Sequence, residues 1–181
     1  MKILAIDPGC VYSGWVLMDT DMKIIAQGKE LNEALLRRMF DDPLANAEKL
    51  AIEMPASYGM AVGETVFNTC RWVGIFQQAF SKDDSYLIYR KGQNKEYGID
   101  SVTMHICNTT RAKDSNVRIA LIDLFPSSGK GAIPQIGTKK FPGPLYKIKK
   151  DMWAALAVGV TFVDWYNDKG EGIIGEYNED I

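Results

Sequence analysis

A short apolar run near the start of the chain ends on a carboxylate. Residues 3–6 are too few for a helix, and the Pro-Gly pair after Asp7 would end one, so the run predicts a β-strand. A second apolar run, residues 15–18, follows closely, and the two runs predict a β-hairpin with Asp7 at the end of its first strand. Because Asp is rare inside strands, Asp7 either starts the turn or is a metal-binding or catalytic carboxylate held at a strand end.

The histidine and cysteine content narrows the possible chemistry. His105 is the only histidine, so a zinc site built from several histidines is excluded. The 3 cysteines are widely spaced and fit neither a disulfide framework nor a CxxC zinc site. If the protein is an enzyme, carboxylates are its expected catalytic groups. Because the sequence has no signal peptide and no apolar run near the ~20 residues of a membrane span, we expect a cytoplasmic protein that does not bind membranes.

Charge is distributed unevenly along the chain. Between Tyr86 and Asp151, 12 Lys and Arg stand against 5 Asp and Glu, whereas residues 164–181 carry 6 acids and 1 Lys. This segregation predicts a basic surface with an acidic tail outside it. The basic surface is either a nucleic-acid binding face or a patchy solvated one.

Short strands and longer helices predict one α/β domain over residues 1–166, followed by a flexible acidic tail over residues 167–181. Three N-terminal strands with short connections predict an antiparallel meander, and the strand after the first helix predicts a parallel crossover. The further predicted strands are residues 23–28, Lys49–Met54 and residues 85–90. The predicted helices are residues 30–40, Glu64–Phe80, two pieces within 101–125, and 149–165.

Two more acids stand at the ends of predicted elements. Glu53 closes the strand Lys49–Met54 much as Asp7 closes the first strand, and parallel strands would place both at one sheet edge, where open α/β sheets bind ligands. Asp151 lies in the first turn of the last helix, where the helix dipole alone would favour it. Read singly, Glu53 could equally be an edge-strand residue facing water. Together the three acids suit Mg²⁺, which takes oxygen ligands and in pairs promotes phosphodiester hydrolysis.

Residues 126–146 contain 4 Pro, 4 Gly and no apolar periodicity. Lys130, Lys139 and Lys140 lie within this segment. A loop this long is usually functional or disordered, so it predicts either a basic surface arm that contacts a phosphate backbone or a mobile loop. The P-loop pattern GxxxxGK(S/T) is absent.

The predicted helix Glu64–Phe80 carries an apolar stripe that we assign mostly to the core, with part of it available as a dimer face. The stripe is traced by Val66, Cys70, Val73, Gln77 and Phe80, and is widened by Phe67, Gly74 and Phe76.

The chain resembles the RuvC-type Holliday-junction resolvases, and within them the phage-encoded branch, from Met1 to about Trp165. The resemblance rests on the order and spacing of ILAIDPGCVYSGW, LAIEMP, RAKDSNVRIALID and DMWAALAVGV, and PQIGTKKFPGPLY resembles a segment common in the phage branch. It implies a ribonuclease H-like fold, in which a mixed sheet of three antiparallel N-terminal strands followed by parallel strands is flanked by helices. It also implies a homodimer that binds four-way DNA junctions and makes symmetric nicks with Mg²⁺ or Mn²⁺, leaving ends that can be ligated.

The resemblance assigns three of the family's four acidic active-site positions. Asp7, Glu53 and Asp151 match them as catalytic and metal-binding residues, whereas Ala154 stands at the fourth position. The alternatives for a fourth ligand are Asp114 and Glu64. Asp164 is less favoured because it lies toward the opposite helix face from Asp151.

Lys113 matches a basic position near the scissile phosphate, which implies substrate contact or transition-state stabilisation; otherwise it is a solvated residue at a helix start. Phe67, Tyr58 or Met60 could wedge into a junction, although the stripe favours a core position for Phe67. The further predicted DNA contacts are Arg111, Arg118, Lys130, Lys139, Lys140, Lys147, Lys149 and Lys150.

We therefore expect a crossover junction endodeoxyribonuclease that uses Mg²⁺ and no small-molecule cofactor. It would act in the cytoplasm of a bacterial host if it is phage-encoded. A branched-DNA binding protein with weak cleavage is the first alternative, because Ala154 is not acidic. An actin-like ATPase or sugar kinase is the second, since IDPGCVYSGW fits a phosphate-binding hairpin, but the second Asp-x-Gly hairpin that such a fold needs is absent.

Overall fold

The computed structural model describes residues 1–41, 43–57, 59, 61–81, 83–94 and 96–169. Within them, five strands form one mixed sheet in the order β3-β2-β1-β4-β5. The strands are β1 (Lys2–Asp7), β2 (Tyr12–Asp19), β3 (Ile24–Leu31), β4 (Lys49–Met54) and β5 (Ser85–Tyr89). β1, β2 and β3 are antiparallel neighbours, and β4 runs parallel to β1 and β5. The predicted mixed sheet is therefore confirmed.

Helices cover both faces of this sheet. They are α1 (Asn32–Arg38), α2 (Glu64–Phe80), α3 (Val102–Cys107), α4 (Asp114–Leu124) and α5 (Met152–Lys169). A short 3₁₀ turn (Leu44–Asn46) precedes β4, and a ribbon of β6 (Gln93–Asn94) and β7 (Ile99–Asp100) follows β5. The interval between α3 and α4 agrees with the predicted division of residues 101–125 into two pieces.

β1 lies in the middle of the sheet and is buried on both faces. Because side chains alternate along a strand, Ile3 and Ala5 point into the core beneath α3, α4 and α5, while Leu4 and Ile6 point into the core beneath α1 and α2. All four side chains are fully buried. This two-sided burial explains why the run is continuously apolar rather than alternating.

α5 packs closely against the sheet. At Gly159 an added Cβ would lie 2.6 Å from Met18 Sδ and 3.0 Å from Ala5 Cβ, so the helix backbone approaches the strands to a distance that only glycine allows without rearrangement. The helix is buried from Ala155 to Val163. It therefore forms part of the core rather than a surface layer, and its N-terminal end is held in place.

The structure corrects three sequence predictions in detail. β3 continues to Leu31, so the first helix begins at Asn32 instead of residue 30. α2 has the predicted bounds, but its buried residues are Thr69, Val73 and Phe76. Val73 and Phe76 of the predicted core stripe are therefore buried, and Phe80 packs against the core. Phe67 and Gly74 of the stripe are exposed, because apolar residues cover so much of this helix that their spacing does not fix where the buried face ends.

The last helix also departs from the predicted boundaries. It begins at Met152, so Asp151 precedes its first turn, and it continues to Lys169, past the predicted domain end at residue 166. The remainder of the predicted acidic tail, residues 170–181, lies outside the described residues. None of the helices described is long and apolar enough to cross a lipid bilayer.

Candidate active site

Asp7 and Glu53 lie side by side at one edge of the sheet. Parallel pairing of Ile6 with Ile52 places Asp7, the last residue of β1, beside Glu53 of β4. Their predicted placement at the carboxyl ends of neighbouring strands is confirmed. Their role as metal ligands stays a prediction.

Asp151 reaches the same place from the start of α5, and Gly14 makes this possible. Gly14 pairs with Asp7 across the hairpin. A Cβ at Gly14 would lie 2.7 Å from both the carbonyl carbon and the carbonyl oxygen of Asp151. The same Asp151 carbonyl accepts hydrogen bonds from the N–H groups of Ala154 and Ala155, each at 3.1 Å, and so begins the helix. The hairpin and the helix start therefore touch through backbone.

A cleft of about 280 Å³ opens over these residues. It is lined by Asp7, Arg90, Asp114, Val117, Arg118, Lys150, Asp151, Trp153 and Ala154. Acids and bases thus share one small space, in which charges interact strongly because solvent is partly excluded.

The pKa of Asp7 is raised to about 8, first by burial and then by the carboxylates of Glu53, Asp151 and Asp114, while Arg90 opposes them. Burial also raises the pKa of Glu53 to about 6, against a lowering effect of Arg90 and with a small raising effect of Asp114. Four carboxylates and one guanidinium therefore form a single electrostatic unit. A site that holds excess negative charge in this way attracts cations.

Two ion pairs hold the outer acids. Asp151 pairs with Lys29, which extends from β3, and Asp114 pairs with Arg90. Across the described part of the chain, no three Asp, Glu, His or Cys side chains are arranged around one point as metal ligands. The carboxylates of Asp151 and Asp114 instead form ion pairs with Lys29 and Arg90, which explains why the acids do not converge on one point.

The residues nevertheless fit a divalent cation in their chemistry. Glu53 Oε2 is buried and has no hydrogen-bond partner among the described residues. An unpartnered buried carboxylate oxygen is costly unless a cation or another donor reaches it. Oxygen donors are also the ligands that Mg²⁺ and Mn²⁺ take.

The two candidates for a fourth ligand, Asp114 and Glu64, lie in different places. Ala154 lines the cleft at the position where the family has an acid. Asp114 also lines it, whereas Glu64 is an exposed residue in the first turn of α2 and does not. Asp164 Oδ2 lies 2.7 Å from His105 Nε2, within hydrogen-bond distance, and Asp164 does not line the cleft.

Among the predicted DNA contacts, Arg118 and Lys150 line the cleft. The guanidinium of Arg118 lies 4.8 Å from the centre of the Trp153 ring. Lys113 is exposed at the N-cap of α4, where its N–H donates to Asn116 Oδ1 at 3.1 Å. Arg111, Lys147 and Lys149 are also exposed beside these elements but do not line the cleft.

The basic loop over residues 126–146 is compactly folded. Its backbone hydrogen bonds include Gly143 N to Ile136 O at 3.0 Å and Leu145 N to Gln135 O at 2.8 Å. At Gly143 a Cβ would lie 2.3 Å from two carbonyl oxygens, so this fold of the loop requires glycine there. Lys130, Lys139 and Lys140 are all exposed on the loop.

Aromatic residues differ most from the sequence predictions. Phe67 is 65% exposed, so the core position favoured for it is wrong. Tyr58 and Met60 lie outside the described residues. Phe141, which the sequence analysis did not single out, is 42% exposed, with the ammonium groups of Lys130 and Lys140 at 4.5 Å and 5.6 Å from its ring centre.

Sequence reasoning also missed Arg90, Lys29 and the role of Gly14. Arg90 could have been found from the sequence. It directly follows β5, and β5 runs parallel to β4, so Arg90 lies at the same sheet edge as Glu53. The rule that located Glu53 therefore applied to it. Lys29 and Gly14 had no such signal, since their contacts with Asp151 depend on where α5 packs.

No protein-family model and no curated protein matches the chain. Solved structures do. The Thermus thermophilus RuvC structure superposes with a TM-score of 0.60 at 14% identity, over 94% of this chain and 97% of that one. T. thermophilus RuvC in complex with Holliday junction substrate superposes with a TM-score of 0.57 at 14% identity, over 94% of this chain and 96% of that one. The chain therefore has the ribonuclease H-like fold of RuvC, as predicted.

Gly14→Ala should separate the walls of the cleft. The new methyl group would meet backbone atoms of Asp151, so we expect a loss of about 1–3 kcal/mol in the free energy of unfolding and weaker Mn²⁺ binding. Urea unfolding and calorimetric titration with Mn²⁺ measure both. Gly63→Ala is the control, because its added Cβ meets no atom within 4 Å. Equal stability and equal Mn²⁺ affinity in the two variants would show that the Gly14 contact does not position Asp151.

Asp7→Asn should stabilise the metal-free protein more at high pH than at low pH. The pKa of Asp7 is about 8 in the folded chain against an ordinary 3.8, so the folded state binds the extra proton and wild-type stability falls as pH rises between these values. The Asn variant escapes this fall, and we expect its Tm in EDTA to exceed that of wild type by about 2–6 °C near pH 8.5 and by less near pH 5. Asp123→Asn, at an exposed position of α4, is the control. The same gain at both pH values would contradict the raised pKa.

Proposed function

We propose that the protein is a metal-dependent, structure-selective DNA endonuclease that resolves Holliday junctions by paired symmetric nicks. The observation that carries this proposal is the placement of Glu53 and Asp151 around Asp7 in a RuvC fold, with Asp7 and Asp151 lining the cleft. The sequence motifs shared with the phage-encoded branch support placing the protein there, and in that case it acts in the cytoplasm of a bacterial host.

Asp7, Glu53 and Asp151 would hold Mg²⁺, with Mn²⁺ able to substitute. The chemistry supplied there by a bound divalent ion is activation of water for attack and neutralisation of charge on the phosphate. Glu53 contributes its unpartnered buried oxygen, and Asp7 contributes a carboxylate that must first lose its proton. Because the pKa of Asp7 is about 8, metal affinity rises with pH through neutrality.

Basic side chains around the cleft would bind and orient the phosphodiester. Arg118 and Lys150 lie in the cleft wall, and exposed Lys113 lies next to Asp114 at the start of α4. We assign Arg118 and Lys150 to the flanking phosphates and Lys113 to charge that develops on the scissile group. Water would then attack phosphorus and lose a proton, while the phosphorus–oxygen bond to one sugar breaks and that sugar oxygen takes up a proton.

Branched DNA is the substrate that the surface supports. The solved T. thermophilus RuvC holds a Holliday junction. In this chain the loop over 126–146 presents Lys130, Lys139 and Lys140 together with Phe141, a mixture of cations and an aromatic ring that suits unstacked bases near a phosphate backbone. Exposed Phe67 on α2 is a second candidate for contact with bases.

A homodimer follows from paired cuts in a two-fold symmetric junction. An open apolar groove of about 500 Å³ between α1 and α2 supports it. The groove is lined by Leu36, Phe40, Arg71, Gly74, Ile75, Gln78 and Ala79. The groove lies on the opposite sheet face from α4 and α5, so a second copy seated there leaves both clefts open.

A branched-DNA binding protein with weak cleavage is the rival function that an observation favours. Ala154 removes one acid of the family's set, and Asp151, another member, is paired with Lys29. An actin-like ATPase or sugar kinase loses support, because the chain superposes on RuvC over nearly its full length.

Nicking of a synthetic four-way junction across a Mg²⁺ titration tests the proposal. We expect paired, symmetric nicks from wild type, and a loss of about 10³-fold or more in Asp7→Asn with junction affinity kept. Ala154→Asp should lower the Mg²⁺ concentration needed. Junction binding without nicking at any Mg²⁺ or Mn²⁺ concentration would establish the binding-protein alternative, and equal loss of binding and nicking in Asp7→Asn would count against a catalytic Asp7.

Phe40→Glu should weaken the dimer. Phe40 is 66% exposed in the apolar groove, and a carboxylate there would lose its hydration in each copy of a two-fold contact. Sedimentation equilibrium should show a dimer for wild type and a monomer for the variant at micromolar concentration. The matched control is Ile119→Glu, at a 60% exposed apolar position on α4. Loss of the dimer in the control alone would place the contact on the other face.

A further inference from the structure

Arg90 is firmly held at the mouth of the cleft. It follows β5 directly, and its side chain is only 17% exposed. Its backbone carbonyl accepts a hydrogen bond from the Thr103 N–H at 3.2 Å and another from the Thr103 hydroxyl at 2.9 Å. Thr103 is fully buried at the start of α3. The end of β5 is therefore anchored through its backbone, and the Arg90 side chain extends from it to line the cleft.

The partner of Arg90 is very differently placed. Asp114, the first residue of α4, pairs with the Arg90 guanidinium although its own side chain is 93% exposed. Ion pairs with a solvent-exposed member contribute little to stability, so a role in holding the fold does not explain this pair. Asp114 instead contacts a mostly buried cation from a solvent-exposed position in the lining of the cleft.

Arg90 also has the chemistry of a phosphate site. A guanidinium presents parallel N–H donors that match two oxygens of a carboxylate or of a phosphate equally well. Arg90 lies close enough to Asp7 and Glu53 to lower the pKa of both. A phosphate bound to Arg90 would thus sit next to the acids that the proposed function assigns to the metal.

We propose that Arg90 is the phosphate-binding residue of the cleft, and that Asp114 occupies its guanidinium in the free protein until a DNA phosphate displaces it. This inference rests on the proposed function for the identity of the ligand. It gives Asp114 a role opposite to that of a fourth metal ligand, because here the carboxylate competes with the substrate instead of helping to hold the ion.

The two roles of Asp114 predict different binding behaviour. The test uses the full chain, a four-way DNA junction in EDTA followed by fluorescence anisotropy, and calorimetric titration of the DNA-free protein with Mn²⁺. Removing the competing carboxylate in Asp114→Asn should tighten junction binding by about fivefold and leave Mn²⁺ affinity unchanged. The control is Asp123→Asn, which makes the same charge change at an exposed position of the same helix.

Arg90→Gln removes the charge and the guanidinium fork, and leaves a shorter, neutral amide. We expect it to weaken junction binding by about tenfold or more and to lower the slope of log affinity against log salt by about one. In the Arg90→Gln background, Asp114→Asn should gain no more than Asp123→Asn, because there is no guanidinium left to release.

The outcomes separate this inference from the proposed function. Equal effects of Asp114→Asn and Asp123→Asn on junction binding would overturn it, and so would unchanged affinity in Arg90→Gln. Weaker Mn²⁺ binding in Asp114→Asn would make Asp114 a metal ligand instead. If wild type binds the four-way junction no more tightly than a duplex of the same length, the proposed substrate is wrong, whatever the two variants do.

Discussion

The parallel pairing of β1 with β4 is the contact on which the rest of the site depends. It places Asp7 and Glu53 side by side at a sheet edge where burial disfavours the charge of each, so that the pKa of both acids rises. Two carboxylates in this position cost stability unless a cation comes near. The apolar burial of β1 on both faces of the sheet, together with that of α5 in the core, contributes stability that offsets this cost.

Lysine and arginine side chains of the protein neutralise part of this negative charge. Lys29 forms an ion pair with Asp151, and Arg90 forms one with Asp114. Arg90 also partly offsets the negative charge of Asp7 and Glu53, the inner carboxylates. The inner carboxylates have no such direct partner, and Glu53 Oε2 is left without a hydrogen bond in the region described. The site therefore has a centre, Asp7 and Glu53, whose charge is not neutralised, and a rim of ion pairs in which positive and negative charges balance. A divalent ion suits the centre, while DNA phosphates suit the cations of the rim.

How well the sequence predicted each element depended on how local the deciding interaction was. The strand ending at Asp7 and the strand Lys49–Met54 were recovered because a buried strand must be apolar and a following proline stops it. The bounds of α2 were recovered for similar local reasons, and Val73 and Phe76 of its predicted stripe are buried, but Phe67 proved to be exposed because the edge of the buried face depends on rotation. Rotation depends on which side meets the sheet, and that is a property of packing rather than of spacing.

The sequence by itself determined the fold class, the positions of three acids at element ends and the basic character of the region around them. Hydrophobic periodicity, turn residues and charge are local properties, and they suffice for those statements. Only the tertiary structure decided which side chains meet: that Gly14 admits the backbone of Asp151, that Lys29 and Arg90 hold the outer acids, and that Ala154 and Asp114 share the cleft. These contacts join residues far apart in the chain, and their geometry is set by how α5 and β5 dock on the sheet.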